Sequence, residues 1–192
     1  MAQRTGADGW RGGGADRMKP SRGLPMGSSE RLTLQPRGDR EIVMTRAFDA
    51  PRDRVFDALT RPELLERWLA ARGGWSLAVC EIDLRVGGEF RFVWRHEPEG
   101  ADVREQGVYR EIVRPSRLVY TEELDDPWHP GESLIAIDLA EEGGRTTLST
   151  TLRYESPEER DEVLSDEALN APMRRGVAER YDKLAEVLAA HA

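Results

Sequence analysis

The chain has 192 residues, 33% of them charged, and its formal net charge at pH 7 is −8. One hydrophobic core fits this length, the single Cys80 excludes an internal disulfide, and no Cys or His pair has metal-ligand spacing, so we expect a cytoplasmic protein with no metal and no cofactor. The acidic excess repels nucleic-acid backbones, so we do not expect nucleic acid as a partner. No apolar run is long enough to cross a membrane, so we do not expect a membrane as a partner either.

The N-terminal segment differs from the rest of the chain. Residues 1–37 are rich in Gly, Arg, Ser and Pro and show no apolar period, which predicts a disordered basic arm. Met18 and Met26 lie within it, so part of the arm can be a start-site artefact. One folded domain is expected over residues 38–192.

The folded part opens with a strand and two short helices. Residues 41–48 have a strand-like pattern that ends at Asp49-Ala50-Pro51, and Pro suits the first turn of a helix. A 3.6-residue apolar period predicts helices over 51–59 and 62–69. Residues 71–77 break the period with a Gly pair and place Trp75 in a loop.

Six further strands are predicted as an antiparallel meander, because short turns rich in Gly, Pro, Glu and Ser separate most of them. Their ranges are 78–85, 88–95, 103–113, 117–123, 132–140 and 145–153. The longer connection, residues 125–131, is expected at a rim. After Ser156, which can cap a short helix, a long helix is predicted from about Asn170 to the end of the chain.

Aromatic residues alternate along the predicted sheet. Phe90, Phe92 and Trp94 fall on one face of their strand, with charged residues between them. A curved sheet that closes on one long helix gathers such residues around one volume, although core packing alone explains most of them. The candidate ligand-binding residues are Trp68, Trp75, Phe90, Phe92, Trp94, Tyr109, Tyr120, Met173, Val177 and Tyr181.

The chain resembles the SRPBCC or START-like superfamily in four stretches spread over about residues 40–190. They read REIVMTRAFDAPRDRVFDALTRPELLERWLA, CEIDLRVGGEFRFVW, GVYREIVRPSRLVYT and TTLSTTLRYES. They are most similar to the branch related to the activator of the ninety-kilodalton heat-shock-protein ATPase. The resemblance implies the α+β helix-grip fold of birch-pollen-type allergens, in which about seven antiparallel strands curve around a long C-terminal helix.

One position departs from that branch. Its members often carry a Gly-Trp pair at the start of the closing helix, and the corresponding pair here is Gly176-Val177, preceded by Met173. The smaller Val leaves more room inside the grip unless other residues fill it.

The sequence contains no clear catalytic constellation. Glu122 follows Tyr120 near a strand end, where burial by aromatic rings would raise a carboxyl pKa towards general-base work, but a solvated strand end is the more common explanation of such a residue. His96 and His129 are weaker acid–base candidates that are more typical of surface residues. No second acid, nucleophile or metal ligand stands at a diagnostic spacing.

Three functions follow from this reading. The first is non-catalytic binding of a small hydrophobic or aromatic molecule between the sheet and the closing helix, with Trp128 and His129 near the entrance. The second is a cofactor-free enzyme of the polyketide-cyclase kind. The third is an interaction protein whose partner is a chaperone or another protein, and exposed sheet edges also allow a homodimer.

Overall fold

The computed structural model describes residues 32–69, 75–125 and 132–190 of the protein. Within these residues the chain forms eight strands and four helices. The strands are β1 (Thr33–Arg37), β2 (Glu41–Phe48), β3 (Trp75–Ile82), β4 (Glu89–His96), β5 (Ala101–Val113), β6 (Arg117–Leu124), β7 (Glu132–Glu142) and β8 (Arg145–Arg153). The helices are α1 (Arg52–Thr60), α2 (Pro62–Leu69), α3 (Pro157–Ser165) and α4 (Glu167–Ala189).

All eight strands belong to one antiparallel sheet with the order β1-β2-β8-β7-β6-β5-β4-β3. The meander from β3 to β8 is confirmed, and β2 closes on β8 so that the first strand of the grip lies beside the last. Two register shifts, between Leu77 and Val79 in β3 and between Tyr109 and Glu111 in β5, interrupt the ladder. Such bulges bend a strand and increase its twist, which helps this sheet to curve.

The curved sheet has one buried face. In β2 every second residue is buried, from Ile42 to Phe48, and β8 repeats the pattern with Thr146, Leu148 and Thr150. Because side chains alternate across a strand, these residues form a single inner face. Helices α1, α2 and α4 cover that face and complete the core. The α+β helix-grip prediction is therefore confirmed.

Helix α4 is fixed to the inner face by two polar contacts. The buried guanidinium of Arg46 donates to the Asp182 carboxylate at 2.8 Å, and the hydroxyls of Thr150 and Tyr181 are hydrogen-bonded at 2.8 Å. Leu184, which is fully buried, continues the contact towards the C-terminal end of the helix. These contacts lie in the second half of α4, and Tyr181 also borders the cavity described below.

Three local predictions need correction. Residues 33–37 form an edge strand rather than part of the arm, so the sheet has eight strands and not about seven. Most side chains of β1 are exposed, and an exposed edge strand carries no apolar alternation to mark it. Trp75 begins β3 instead of lying in a loop, and β3 ends at Ile82, before the turn at Gly87.

The remainder of the predicted arm, residues 1–31, lies outside the described residues. The predicted N-cap is confirmed, because the Ser156 hydroxyl accepts a hydrogen bond from the Glu159 amide at 3.1 Å. In the described part of the chain, no helix combines the length and the apolar character that a membrane crossing requires.

Candidate functional site

A cavity of about 300 Å³ lies between the inner face of the sheet and the side of α4 that carries Met173, Val177 and Tyr181. Its walls come from β2, from the strands β4 to β8 and from the helices α1, α2 and α4. The volume lies at the lower end of the roughly 300 to 1,000 Å³ that is typical of small-molecule sites.

Most of the wall is apolar or aromatic. Trp68 is held in place because its indole nitrogen donates to the Ala58 carbonyl at 2.8 Å. The apolar and aromatic lining residues are Met44, Leu59, Leu65, Trp68, Leu69, Phe90, Phe92, Tyr109, Leu118, Tyr120, Leu124, Ile135, Ile137, Leu152, Tyr154, Met173, Val177 and Tyr181. A molecule in this space would be surrounded mainly by hydrocarbon and ring faces.

Four aromatic rings form one cluster in the sheet wall. The ring centroid of Phe90 lies 5.2 Å from that of Phe92, 5.6 Å from that of Tyr109 and 5.3 Å from that of Tyr120. Gly107, the cross-strand partner of Phe90, leaves space for the Phe90 ring. A β-carbon at Gly107 would lie 2.6 Å from that ring and 1.7 Å from the Thr121 carbonyl oxygen. The cluster therefore depends on this glycine.

Two carboxyl groups interrupt the aromatic wall. Glu105 pairs with Phe92 on one side and with Leu124 on the other, which places it diagonally from Glu122 on the inner face. Both side chains line the cavity, close enough for Glu105 to affect the protonation of Glu122. Burial, the negative charge of Glu105 and hydrogen bonding with Glu105 raise the pKa of Glu122 to about 8. Glu122 is therefore mostly protonated at neutral pH.

Arg180 lies beside this pair. It comes from α4, lines the cavity, and places its guanidinium carbon 5.0 Å from the centroid of the Trp94 ring. Its positive charge lowers the pKa of Glu122, but this effect is smaller than the three that raise it. The polar end of the cavity thus contains two acidic groups and one permanent cation.

The structure brings eight of the ten predicted ligand-binding residues to the cavity wall. They are Trp68, Phe90, Phe92, Tyr109, Tyr120, Met173, Val177 and Tyr181. Trp94 lies outside the wall, buried beneath Arg180, and Trp75 packs against the core with its ring 5.0 Å from that of His96. Ligand binding by these residues stays a prediction.

The weaker acid–base candidates are separated by the fold. Glu122 lines the cavity, whereas His96 lies at the end of β4 with its Nδ1 3.2 Å from the Glu99 carboxylate. Trp128 and His129 fall outside the described residues. Burial raises the pKa of the Cys80 thiol to about 11, so this cysteine is protonated at neutral pH.

Sequence reasoning missed two residues of the polar end, Glu105 and Arg180. The spacing of each residue from a predicted cavity residue could have identified it. Glu105 lies four residues before Tyr109 on the same strand and therefore shares its face, and Arg180 lies three residues after Val177, which is one helical turn. Among the described residues, no group of three His, Cys, Asp or Glu side chains is placed to hold a metal ion.

Comparison with solved structures supports the same architecture. A protein from Rhodobacter sphaeroides is 32% identical, with a TM-score of 0.73 over 83% of this chain and 99% of the other. A protein from Chromobacterium violaceum is 26% identical, with a TM-score of 0.59 over 79% and 98%. A protein from Nitrosomonas europaea, 24% identical with a TM-score of 0.65 over 81% and 98%, shares the fold.

Among curated proteins, no significant match was found. The family model described as "Activator of Hsp90 ATPase homolog 1-like protein" matches residues 49–189, which span every element from α1 to the end of α4. The match and the Rhodobacter sphaeroides structure agree with the helix-grip architecture described above. The chain therefore belongs to the family of Activator of Hsp90 ATPase homolog 1-like proteins, within the SRPBCC superfamily.

Proposed function

We propose that this protein binds a small apolar or aromatic molecule in the cavity between its sheet and α4, and that it does so in the cytoplasm without transforming the ligand. The observation that carries the proposal is the cavity of about 300 Å³ itself, with its mostly apolar wall and a few polar groups gathered at one place. Small-molecule sites combine these two features, because apolar walls supply affinity and the few polar groups set orientation.

The departure at Gly176-Val177 supports the same proposal. Val177 lies on the cavity wall, where a larger side chain would project into the free volume. A tryptophan at this position would add an indole to a space of about 300 Å³ and remove much of it. The side chain at this one position on α4 therefore controls how much space a ligand has.

Native mass spectrometry of the purified protein, compared with its denatured mass, tests the proposal. We expect an added mass in the native spectrum only, and we expect Val177→Trp to lose it because the indole occupies the ligand volume. Arg174→Trp is the matched control, since Arg174 is exposed on the same helix and its replacement adds an equally large ring outside the cavity. This control should retain the added mass.

Direct titration covers the case in which a ligand is lost during purification. We expect 2-phenylethanol, a small aromatic alcohol, to bind the wild-type protein and Arg174→Trp in calorimetry, and to bind Val177→Trp much more weakly. If neither a copurified mass nor binding of small aromatic probes is found, or if Val177→Trp binds as well as wild type, the proposal is wrong.

A second candidate function is proton-transfer catalysis of the cyclase kind, and the carboxyl pair in the cavity is the observation that favours it. A carboxyl group whose pKa is about 8 can both accept and donate a proton near neutral pH. Deuterium incorporation into 1-indanone in D₂O, followed by NMR, measures such activity. Exchange above the buffer rate that is lost in Glu122→Gln would favour catalysis over simple binding, whereas exchange at the buffer rate counts against it.

A further inference from the structure

We propose, building on the ligand-binding function above, that the cavity selects small apolar or aromatic molecules that carry one basic nitrogen, and that the ammonium group binds between Glu105 and Glu122. Binding of such a ligand releases a proton from the carboxyl pair, and this release can be measured. The placement of the two carboxyl groups on the cavity wall, the charge balance around them and the rings beside them favour this class of ligand.

The charge balance favours one positive charge on the ligand. With Glu122 protonated, the two carboxyl groups carry a single negative charge, which Arg180 offsets. When both carboxyl groups are ionised, the three groups together carry one uncompensated negative charge beside a mostly apolar wall. A cation placed there restores neutrality, and an ammonium has the hydrogen-bond donors that two carboxylates require.

The rings beside the pair suit the same ligand. The faces and edges of Phe92, Tyr109 and Tyr120 surround Phe90, and Phe92 is the direct cross-strand partner of Glu105. Aromatic faces attract cations, and the attraction grows when the site is shielded from water. The apolar part of the ligand can then extend along the remaining wall towards Val177.

Other ligand classes fit this end of the cavity less well. A carboxylate ligand would gain Arg180 but would face the charge of the pair, so it would require a second proton to be taken up by Glu105 and Glu122. A neutral alcohol or ketone can exchange hydrogen bonds with the pair but cannot offset a second negative charge. Ammonium binding is the arrangement in which both carboxylates and the ligand are fully paired.

The polar groups around Glu122 come from several elements. Glu105 of β5, Tyr120 of β6 and Arg180 of α4 interact with it electrostatically, and Ser133 of β7 is its cross-strand partner. Tyr109 and Tyr181 line the same cavity. Burial raises the pKa of all three tyrosines, so they stay neutral over the working range. The proton that leaves on binding therefore comes from the carboxyl pair, and it passes to solvent while the ligand enters already protonated.

Calorimetry with 2-phenylethylamine and its neutral analogue 2-phenylethanol tests this inference on the full chain. At pH 7 we expect the amine to bind at least about tenfold more tightly than the alcohol, because only the amine restores the charge balance. Titrations in phosphate and in Tris, whose ionisation enthalpies differ, should show about one proton released for the amine and none for the alcohol. Below the pKa of the pair, the affinity for the amine should rise with pH, by up to about tenfold per unit.

Two variants test whether the amine preference and the proton release come from the carboxyl pair. Glu122→Gln should lower the affinity for 2-phenylethylamine at least tenfold and abolish proton release, and this loss should be larger than any loss for 2-phenylethanol. Glu105→Gln should act in the same direction. Glu123→Gln is the matched control, because Glu123 is the next residue of β6 but is exposed on the outer face, where its carboxylate accepts a hydrogen bond from Gln106 at 3.0 Å.

The possible outcomes separate this inference from the proposed function. Equal binding of amine and alcohol with no proton release would overturn the inference and leave the ligand-binding function intact. An amine preference that survives Glu122→Gln and Glu105→Gln would overturn it as well. Failure of both probes to bind the wild-type protein would remove the inference together with the function on which it rests.

Discussion

The sheet wall and the helix wall of the cavity differ in how firmly they are held. The sheet wall around β5 lies between two neighbouring strands, so its backbone is hydrogen-bonded on both sides. The helix wall is the segment of α4 from Met173 to Tyr181, and α4 is hydrogen-bonded to the sheet at the end of this segment, through Tyr181 and Asp182. The sheet wall therefore sets the position of the carboxyl pair, whereas the helix wall sets how much space remains.

Gly107 and Gly176 show how much free space each wall has beside its backbone. Gly107 in the sheet wall has a backbone carbonyl and an aromatic ring where a side chain would go. A β-carbon added at Gly176 in the helix wall would meet no heavy atom of the described residues within 4 Å beyond the neighbouring backbone of its own helix. The same substitution at the two positions thus probes how each wall responds to one added methyl group. Substitutions in the sheet wall should lower the free energy of unfolding strongly, and substitutions in the helix wall should change it little.

Gly107→Ala should have the largest effect. An added β-carbon would lie 1.7 Å from the Thr121 carbonyl oxygen and 2.6 Å from the Phe90 ring, so both the backbone and the ring would have to shift to accommodate it. We expect a loss of more than about 3 kcal/mol in the free energy of unfolding, measured by urea denaturation, or failure to fold. A stability within about 1 kcal/mol of wild type would show that the sheet wall yields as easily as the helix wall.

Leu184→Ala comes next and compares two parts of α4. Leu184 is fully buried in the half of the helix that packs directly on the core, so its truncation leaves a new void and should cost about 3 kcal/mol. Val177→Ala only enlarges a cavity that already exists and should cost under about 1 kcal/mol. Equal losses in urea denaturation would contradict the division of α4 into a packed half and a cavity half.

The sequence patterns correctly predicted which strand residues face the cavity and which helix borders it. Alternation placed Phe90 and Phe92 on the inner face, and the departure at Val177 pointed to the helix wall. These predictions worked because burial on one face of a strand or helix leaves a period in the sequence. Edge strand β1 has no such period, because most of its side chains are exposed, and its pairing with β2 was therefore missed.

The polar end of the cavity required the fold. Glu105 is one charged residue among several along β5, and only the register with β4 and β6 brings it beside Glu122. Arg180 lies still further along the chain, on α4. The carboxyl pair comes from two strands and its cation from a helix, so no spacing within one segment of the sequence predicts the three together.

Glu122→Gln should change the pH dependence of stability. The pKa of Glu122 is about 8 in the folded protein against an ordinary value of 4.5, so the folded state holds a proton that the unfolded state has released. Stability from this group is complete below about pH 4.5 and falls as pH rises through about 8, by at most about 1.4 kcal/mol per unit. Glutamine keeps the shape without the titration, so the variant should gain on wild type as pH rises.

Urea denaturation at several pH values between about 5 and 9 measures this difference. Glu123→Gln, one residue away on the outer face, should follow the wild-type curve. Parallel curves for wild type and Glu122→Gln would show that the carboxyl pair does not hold a proton in the folded state. Both carboxylates would then already be ionised in the free protein, and an ammonium ligand would bind without releasing a proton.

Gly176→Ala should have the smallest effect and the opposite sign. Its β-carbon meets open space, and alanine is favoured over glycine inside a helix, so we expect a gain of about 0.5 to 1 kcal/mol in urea denaturation. Ligand affinity should stay within about twofold, because Val177 and Arg180 keep their places on the wall. A loss of stability would mean that the helix wall is as tightly constrained at this point as the sheet wall is at Gly107. Substitutions on α4 near Val177 would then disturb the packing of the helix as well as the volume of the cavity.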